Sequence, residues 1–503
     1  MKSLYLTPLL GVVGYNVPLV AQIAPNNPTS SPSLVEQANK LRAQNQLAEA
    51  IRLYRQAIKD NPNLVSAHYG LGVALRQQGD LDGAIASHRQ ALSLDREYIP
   101  AHYGLGVALY AKGDGAGAVS AFREAIRLSN AKGDRTNLAP TYFNLGLAEQ
   151  LKGDSAAALS AFQQSVQVDS QYAPAYTGIA SILSQQKDWQ GAINALNTGL
   201  QLQPQNVNAL FLLASIYFDQ KQFAQAIPPL QQVLALNDRY PNAHYKLALT
   251  HAELGDYDQA IVAYRRAIEQ DPNNAVIYAD LGTAFLRKQN VSEAVTAFQR
   301  SVSLDPKSPT AFNGLGLALR RLGNLSEAVN AYRQAIALDP NYAAAYNNLG
   351  RALADQNQFP QAIDAFRQAI RVDPNNYIAY SNLGNLLLST KETTGAIEIL
   401  LKAIALPASK SPDELAGNYT SLGIAYWEQG KTDLAVSALQ EAIKLSPSHA
   451  RAHFSLGTIY ARQGKRREAV RAYEEALRLY QLSKDIEWIN RTQEALRTLR
   501  GVS

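Results

Sequence analysis

The chain has no cysteine and only one methionine in 503 residues. Without thiols it can form no disulfide, no thiolate nucleophile and no thiolate metal site. That absence suits a reducing compartment as well as an exported protein that avoids thiols, so it does not locate the chain. An excess of one charge is also lacking: 47 basic against 42 acidic residues leave a net +5. Nucleic-acid binders gather Lys and Arg into one face or tail. Here the densest run (Arg462, Lys465, Arg466, Arg467, Arg471) is diluted by Glu468, Glu474 and Glu475, so nucleic acid is not expected as a partner. Catalytic signatures are missing too. Gly70-Leu-Gly72, Gly104-Leu-Gly106 and Gly314-Leu-Gly316 lack the third glycine of a dinucleotide loop and follow no strand. His68, His102 and His244 recur in one Ala-His-Tyr phrase without a carboxylate at ligand spacing, which reads as repeated structure rather than a metal site. No nucleophile–base pair sits inside a motif. A non-enzymatic chain without cofactor or metal is expected.

Long apolar stretches are confined to the start. No charged side chain occurs from Ser3 to Val35, an apolar stretch runs from Leu4 to Ala21, and Pro25 to Ser33 is rich in Pro, Asn and Ser. With Lys2 ahead of it, this order resembles a secretory signal over residues 1–21 followed by a polar linker over 22–33. Cleavage is expected after Ala21 or Ala24. Pro8, Gly11, Gly14 and Pro18 argue against a membrane-spanning helix, because they free backbone groups that lipid cannot satisfy. Membrane contact is therefore expected only through the N-terminus. Export to a bacterial periplasm or beyond the cell is the expectation, with cytoplasmic residence if the segment is retained. The Asn-X-Ser/Thr triplets at Asn290, Asn324, Asn418 and Asn490 matter only in a glycosylating secretory route.

What the chain has in abundance is a rhythm. Gly282, Gly316, Gly350 and Gly384 each follow a leucine and stand 34 apart (316 − 282 = 34), the period of a helix–turn–helix solenoid. Counting in this frame gives about thirteen repeats, beyond the three or so that a solenoid needs. An alanine opens each second helix, and aromatic residues such as Phe298, Tyr332 and Phe366 follow it. The first and second helices are divided at Gly-Asp or Gly-Asn, as at Gly79-Asp80 and Gly323-Asn324. Glycine accepts the left-handed cap and the acid or amide caps the next helix. Asp-Pro, as at Asp305-Pro306 and Asp339-Pro340, ends the second helix because Pro cannot continue it. Two intervals are long, 40 from Gly106 to Gly146 and 39 from Gly384 to Gly423. Their surplus, in Ser129–Leu138 and Pro407–Glu414, is expected to form longer surface loops.

This spacing and residue set resemble the tetratricopeptide repeat family over nearly the whole chain. Nine repeats keep an intact Leu-Gly and all keep the alanine. The resemblance implies an all-α, right-handed superhelical solenoid of about thirteen repeats over residues 34–481, with a capping helix and tail over 482–503. In that cap Ile486, Ile489, Leu496 and Leu499 are expected to share the inner face. The repeats from Asn274 to Leu386 are similar to the peptide-binding superhelix of O-GlcNAc transferase, without its catalytic domain.

Family members line a concave groove with their first helices, and the resemblance carries that face onto specific positions. These are Tyr69, Tyr103, Phe143, Phe211 and Tyr245 early, Asn313, Arg320, Asn347, Arg351 and Asn385 in the middle, and Trp427 and Phe454 late. Asn144, Asn348 and Asn382 stand directly before Leu-Gly, where that transferase carries an amide ladder for peptide backbone. Gly70, Gly104, Gly314, Ser421 and Ser455 interrupt the ladder, and the Lys/Asn clamp of chaperone-tail binders is missing. The resemblance implies a scaffold for partner proteins or extended peptides, serving envelope assembly or secretion. An assembly chaperone like those of photosystem assembly is one alternative, and a targeting arm for a separate glycosyltransferase is another.

Overall fold

The computed structural model describes residues 31–406 and 411–501. The expected signal over 1–21 and the linker up to residue 30 lie outside the described residues. The described residues divide into two units, 31–254 and 255–501. Among the described residues there are 27 helices and no strand.

The first unit opens with α1 (Ser31–Ala43), α2 (Leu47–Asp60), α3 (Val65–Gln78), α4 (Leu81–Leu94), α5 (Ile99–Ala111) and α6 (Gly115–Lys132). It continues with α7 (Leu138–Lys152), α8 (Ser155–Val168), α9 (Ala173–Gln185), α10 (Trp189–Leu202), α11 (Val207–Asp219), α12 (Phe223–Leu236) and α13 (Ala243–Glu253). The second unit holds α14 (Tyr257–Gln270), α15 (Ala275–Arg287), α16 (Val291–Leu304), α17 (Pro309–Leu322), α18 (Leu325–Leu338), α19 (Ala343–Asp355) and α20 (Phe359–Val372). It ends with α21 (Tyr377–Ser389), α22 (Thr393–Ala405), α23 (Pro412–Glu428), α24 (Thr432–Leu445), α25 (Ala450–Arg462), α26 (Arg466–Ser483) and α27 (Ile486–Arg500). Up to α26, odd-numbered helices are the first of each repeat and even-numbered ones the second, and α27 is the cap. Within each unit consecutive helices pack in pairs, the arrangement of a repeat solenoid.

The pairing has one recurring contact. Each second helix drives a large side chain against the small residue of its partner helix. Phe162 lies between Gly146 of α7 and Gly178 of α9, and Phe298 lies between Gly282 of α15 and Gly314 of α17. A methyl group on any of these glycines would come within 3.0 Å of the ring, closer than packed atoms tolerate. The inserted side chains are buried throughout: Tyr54, Tyr332, Leu196 and Leu400 are 0% exposed. The alanine four residues ahead, such as Ala328 or Ala362, is likewise 0% exposed and leaves room for the backbones to approach.

The turns follow local chemistry. Gly79, Gly113, Gly153 and Gly323 take φ of 94°, 86°, 90° and 91°. The oxygens of Asp80, Asp114 and Asp154 then accept from the third backbone N–H of the next helix. Asn290 and Asn324 hold the same cap position without a side-chain hydrogen bond. Lys187, Lys221 and Gln289 hold the left-handed place without glycine, at a local cost of about 1 kcal/mol each. At the far end of the second helix the aspartate matters as much as the proline. Asp95, Asp169, Asp305 and Asp339 accept at 2.9–3.0 Å from the N–H two residues on, closing the turn.

Three expectations need correction. The helical array begins at Ser31, so the end of the expected linker is helical. The first surplus forms little loop: α6 runs for 18 residues to Lys132, Gly133 caps it at φ 67°, and α7 begins at Leu138. Buried Leu128 and Ser129 hold that extra turn against the core. In the second, residues 407–410 lie outside the described residues, but Ser411 and Glu414 form a capping box that starts a 17-residue α23. The C-terminal cap keeps its expected inner face at Ile489, Leu496 and Leu499 but not at Ile486. Ile486 is 72% exposed, while Leu496 and Thr492 are buried. Trp488 stacks on Tyr480 at 5.4 Å and meets Phe454 at 5.0 Å, because its larger ring fills the end of the last repeat.

His88 occupies the inserted place in its repeat, between Gly72 and Gly104. It is fully buried, and neither ring nitrogen has a hydrogen-bond partner among the described residues. Burial, and then the Arg76 guanidinium, push its pKa from 6.5 down to about 3. The unfolded chain therefore binds the proton more readily, so this contribution is whole above pH 6.5 and is lost as pH falls toward 3. The loss approaches about 1.4 kcal/mol per pH unit across that window. Phenylalanine fits the same glycine-flanked slot at Phe162 and Phe298, so His88→Phe is expected to stabilise the chain by about 1–3 kcal/mol at neutral pH. It should also flatten the acid limb of urea unfolding measured from pH 7 to pH 4. An unchanged acid limb would remove His88 as its source.

Candidate functional site

The face under test is the stripe of each first helix three residues before, and one and four residues after, its small residue. Those places fall on one side of a helix because they are four and three residues apart. In the first unit the stripe is aromatic, and its rings are committed to neighbours. Tyr69 lies 5.6 Å from the His88 ring and 5.7 Å from Tyr98. Phe143 sits 5.6 Å from Phe162 and 5.7 Å from Tyr172, and Phe211 lies 5.1 Å from Tyr240. Tyr103 packs 5.9 Å from Phe122, and its hydroxyl accepts from Asn144 at 2.9 Å. Burial pushes the Tyr69 phenol up, with Tyr98 adding to the shift. All of these side chains are partly buried, as is Tyr245 on α13. In the second unit Phe454 is held the same way, 5.2 Å from Tyr473, and Trp427 is partly buried.

The amides of the second unit form a short chain rather than isolated groups. Asn382 donates to the Asn347 carbonyl at 2.9 Å, and Asn348 donates to the Asn313 carbonyl at 3.0 Å. Asn313 in turn donates to the Tyr342 hydroxyl at 3.4 Å. Asn347 is 8% exposed. Each rung thus uses one N–H within the protein, and the Asn348 and Asn382 carbonyls accept from no described residue. Arg320 is paired with Asp355 at 2.6 Å. Arg351 and Asn385 stand exposed at matching places on α19 and α21, and Arg351 has no ion pair among the described residues. Its pKa is lowered by burial of part of the side chain and then by Arg320 nearby.

Two residues of this surface escaped the sequence reading. Arg42 on α1 and Arg76 on α3 hold the fourth place after their small residue, as Arg320 does on α17. That shared offset is the signal that would have found them. A cleft of about 510 Å³ also opens between the starts of α9 and α11, bounded by Phe143, Tyr172, Leu202 and Asn208 and by the buried Thr177 hydroxyl. No charged side chain lines it, so it suits an uncharged group. The recurring histidines close the turn before each first helix. His68 bonds the Pro62 carbonyl at 2.8 Å and His102 the Arg96 carbonyl at 2.9 Å, while His244 meets Asp238 at 3.0 Å. Among the described residues no three His, Asp or Glu side chains gather as metal ligands, and no helix is long and apolar enough to cross a membrane. Asn418, in one Asn-X-Thr triplet, is 3% exposed in the folded chain.

Comparison with known proteins follows the same pattern. Models of the tetratricopeptide repeat match residues 143–207 and 420–485 and residues 98–171, and a TPR repeat model matches 38–79 and 72–113. The model of the C-terminal domain of cilia and flagella-associated protein 70 matches 205–417. No curated protein matches the chain. Among solved structures the chain is similar to the APC/C hetero-tetramer Cut9-Hcn1, with 16% identity, 92% of this chain and 97% of that chain covered, and a TM-score of 0.41. It is similar to yeast Tom70, with 17% identity, coverage of 82% and 99%, and a TM-score of 0.37. It is also similar to MamA, with 27% identity, coverage of 34% and 93%, and a TM-score of 0.33.

The aromatic stripe of the first unit carries a structural load. Tyr69→Ala is expected to cost about 3–5 kcal/mol, as for other large-to-small changes at packed rings, read as an earlier denaturant midpoint. A variant that unfolds like the wild type would mean that Tyr69 is an unencumbered contact residue.

Proposed function

We propose that this chain, which belongs to the tetratricopeptide repeat family, is a non-enzymatic scaffold that holds extended polypeptide on the first helices of its repeats. The observation that carries this reading is the polar stripe across α17, α19 and α21. Exposed Arg351 and Asn385 stand three residues after Asn348 and Asn382 on α19 and α21, so a guanidinium and amides belong to one stretch of two neighbouring first helices. An extended chain presents alternating backbone donors and acceptors, and amides answer both. Arginine adds the side-chain type that most often anchors interfaces. Asn347 and Asn313 hold the ladder amides in place, which limits the entropy lost when a peptide docks.

Arg351→Ala with Asn385→Ala removes exposed groups only, so folding should be kept. Loss of the protein partners recovered by pull-down, with unchanged circular dichroism, is the expected outcome. Retention of every partner by the folded variant would move the binding surface elsewhere.

The cellular setting we propose is the envelope, in complex assembly or secretion. It is supported by the charge-free stretch from Ser3 to Val35 with its apolar run and small residues at Ala21 and Ala24. Sequencing the mature N-terminus should find residues 1 to 21 or 1 to 24 removed. An intact Met1 on protein from the cytoplasmic fraction would favour an assembly chaperone of that compartment instead.

A further inference from the structure

Arg42 and Arg76 lie on neighbouring first helices of the first unit, α1 and α3, which touch. Arg320, at the same place in its repeat, is neutralised by Asp355. Arg42 and Arg76 have no such partner among the described residues. The Nε of Arg42 is buried without a hydrogen-bond acceptor. Arg76 is partly buried, and its pKa is lowered by that burial and, among cations, by Arg42, while the neighbouring Tyr103 and Tyr69 phenols are neutral at physiological pH and supply no counter-charge. No carboxylate takes part. The nearby acids are engaged elsewhere: Glu36 pairs with Lys40 at 2.9 Å and Glu49 with Arg52 at 2.6 Å. The thirty residues before α1 contain no Asp or Glu, so that segment cannot supply the missing charge.

Two like charges drawn partly out of water, beside a histidine held neutral, are an unfavourable arrangement for the isolated protein. A planar guanidinium is also the group best suited to grip an oxyanion through paired N–H donors. We propose that Arg42 and Arg76, with the Tyr69 hydroxyl, form an oxyanion-receiving site that takes a carboxylate of a bound acidic polypeptide. The site rests on the reading that first-helix faces hold polypeptide, and it adds the chemistry of what the first unit selects. It differs from the polar stripe of the second unit in lying over aromatic rings, with two cations and no amide ladder.

The test is fluorescence anisotropy on the full chain at low ionic strength, with a labelled glutamate-rich peptide and a labelled phosphoserine peptide of otherwise neutral sequence. Arg42→Gln/Arg76→Gln should weaken the glutamate peptide by about tenfold or more, the range for hydrogen bonds to charged groups. Arg42→Lys/Arg76→Lys should restore part of the affinity, which a folding defect would not allow. Arg466→Gln/Arg467→Gln, in the basic run of the second unit, should leave binding within about twofold, as expected for a distant site. Stronger binding of the phosphoserine peptide through the same two arginines would support the site and name phosphate as the source of the oxyanion. Peptide binding that persists in the Arg42/Arg76 variant would overturn the site while leaving polypeptide binding intact. Failure of the wild type to bind either peptide would also overturn it.

Discussion

One contact governs the rest: a large side chain from each second helix seated against the small residue of its partner. Backbones approach closely there, and little else fits. Tyr54, Phe162, Phe298 and Tyr332 are buried because small residues face them, and at glycines such as Gly70, Gly146, Gly282 and Gly316 the ring leaves no space for a methyl group. Dispersion contacts in such a slot are numerous and short-ranged. Stability within each unit therefore accumulates repeat by repeat through nearest neighbours.

The same contact decides what the first-helix face can offer. Once the inner side of a first helix is filled, the next side chains around the helix either prop the inserted ring or turn to water. In the first unit they prop it, with Tyr69, Phe143 and Phe211 extending the ring clusters. On α17 and α19 of the second unit the smaller amides of Asn313 and Asn347 take those places, and Arg351 reaches solvent. A binding surface and a core thus share one helix, separated by about a quarter turn per residue.

Much of the fold was legible because it rests on local rules repeated many times. The glycine and alanine frame, the aspartate caps and the Asp-Pro stops each have one physical cause, and averaging over repeats exposes it. Residues used once were harder to read. Trp488 joins the apolar stripe of α27 as an anchor, and no periodic pattern announces a single ring that packs on Tyr480 and Phe454. The self-pairing of Asn347 with Asn382 depends on the distance between helices, which spacing along the chain does not encode. Arg42 and Arg76 were hidden for another reason. An arginine without a counter-charge looks identical in sequence to one with Asp355 beside it, and only packing tells them apart.

The long helix α6 shows how such an array accepts extra sequence. It has 18 residues where α4 and α8 have 14, a surplus of four (18 − 14 = 4), close to one turn of a helix. A whole added turn returns the outgoing chain to nearly its original azimuth, about 40° past full circle. Growth by roughly one turn at a time lengthens the rod without re-aiming what comes after it, much as a screw advances without changing where its slot points. Insertions of two residues would swing the exit to the opposite side. Lineages of this fold should therefore accumulate length in steps of three, four or seven residues within helices, and leave other lengths to the turns.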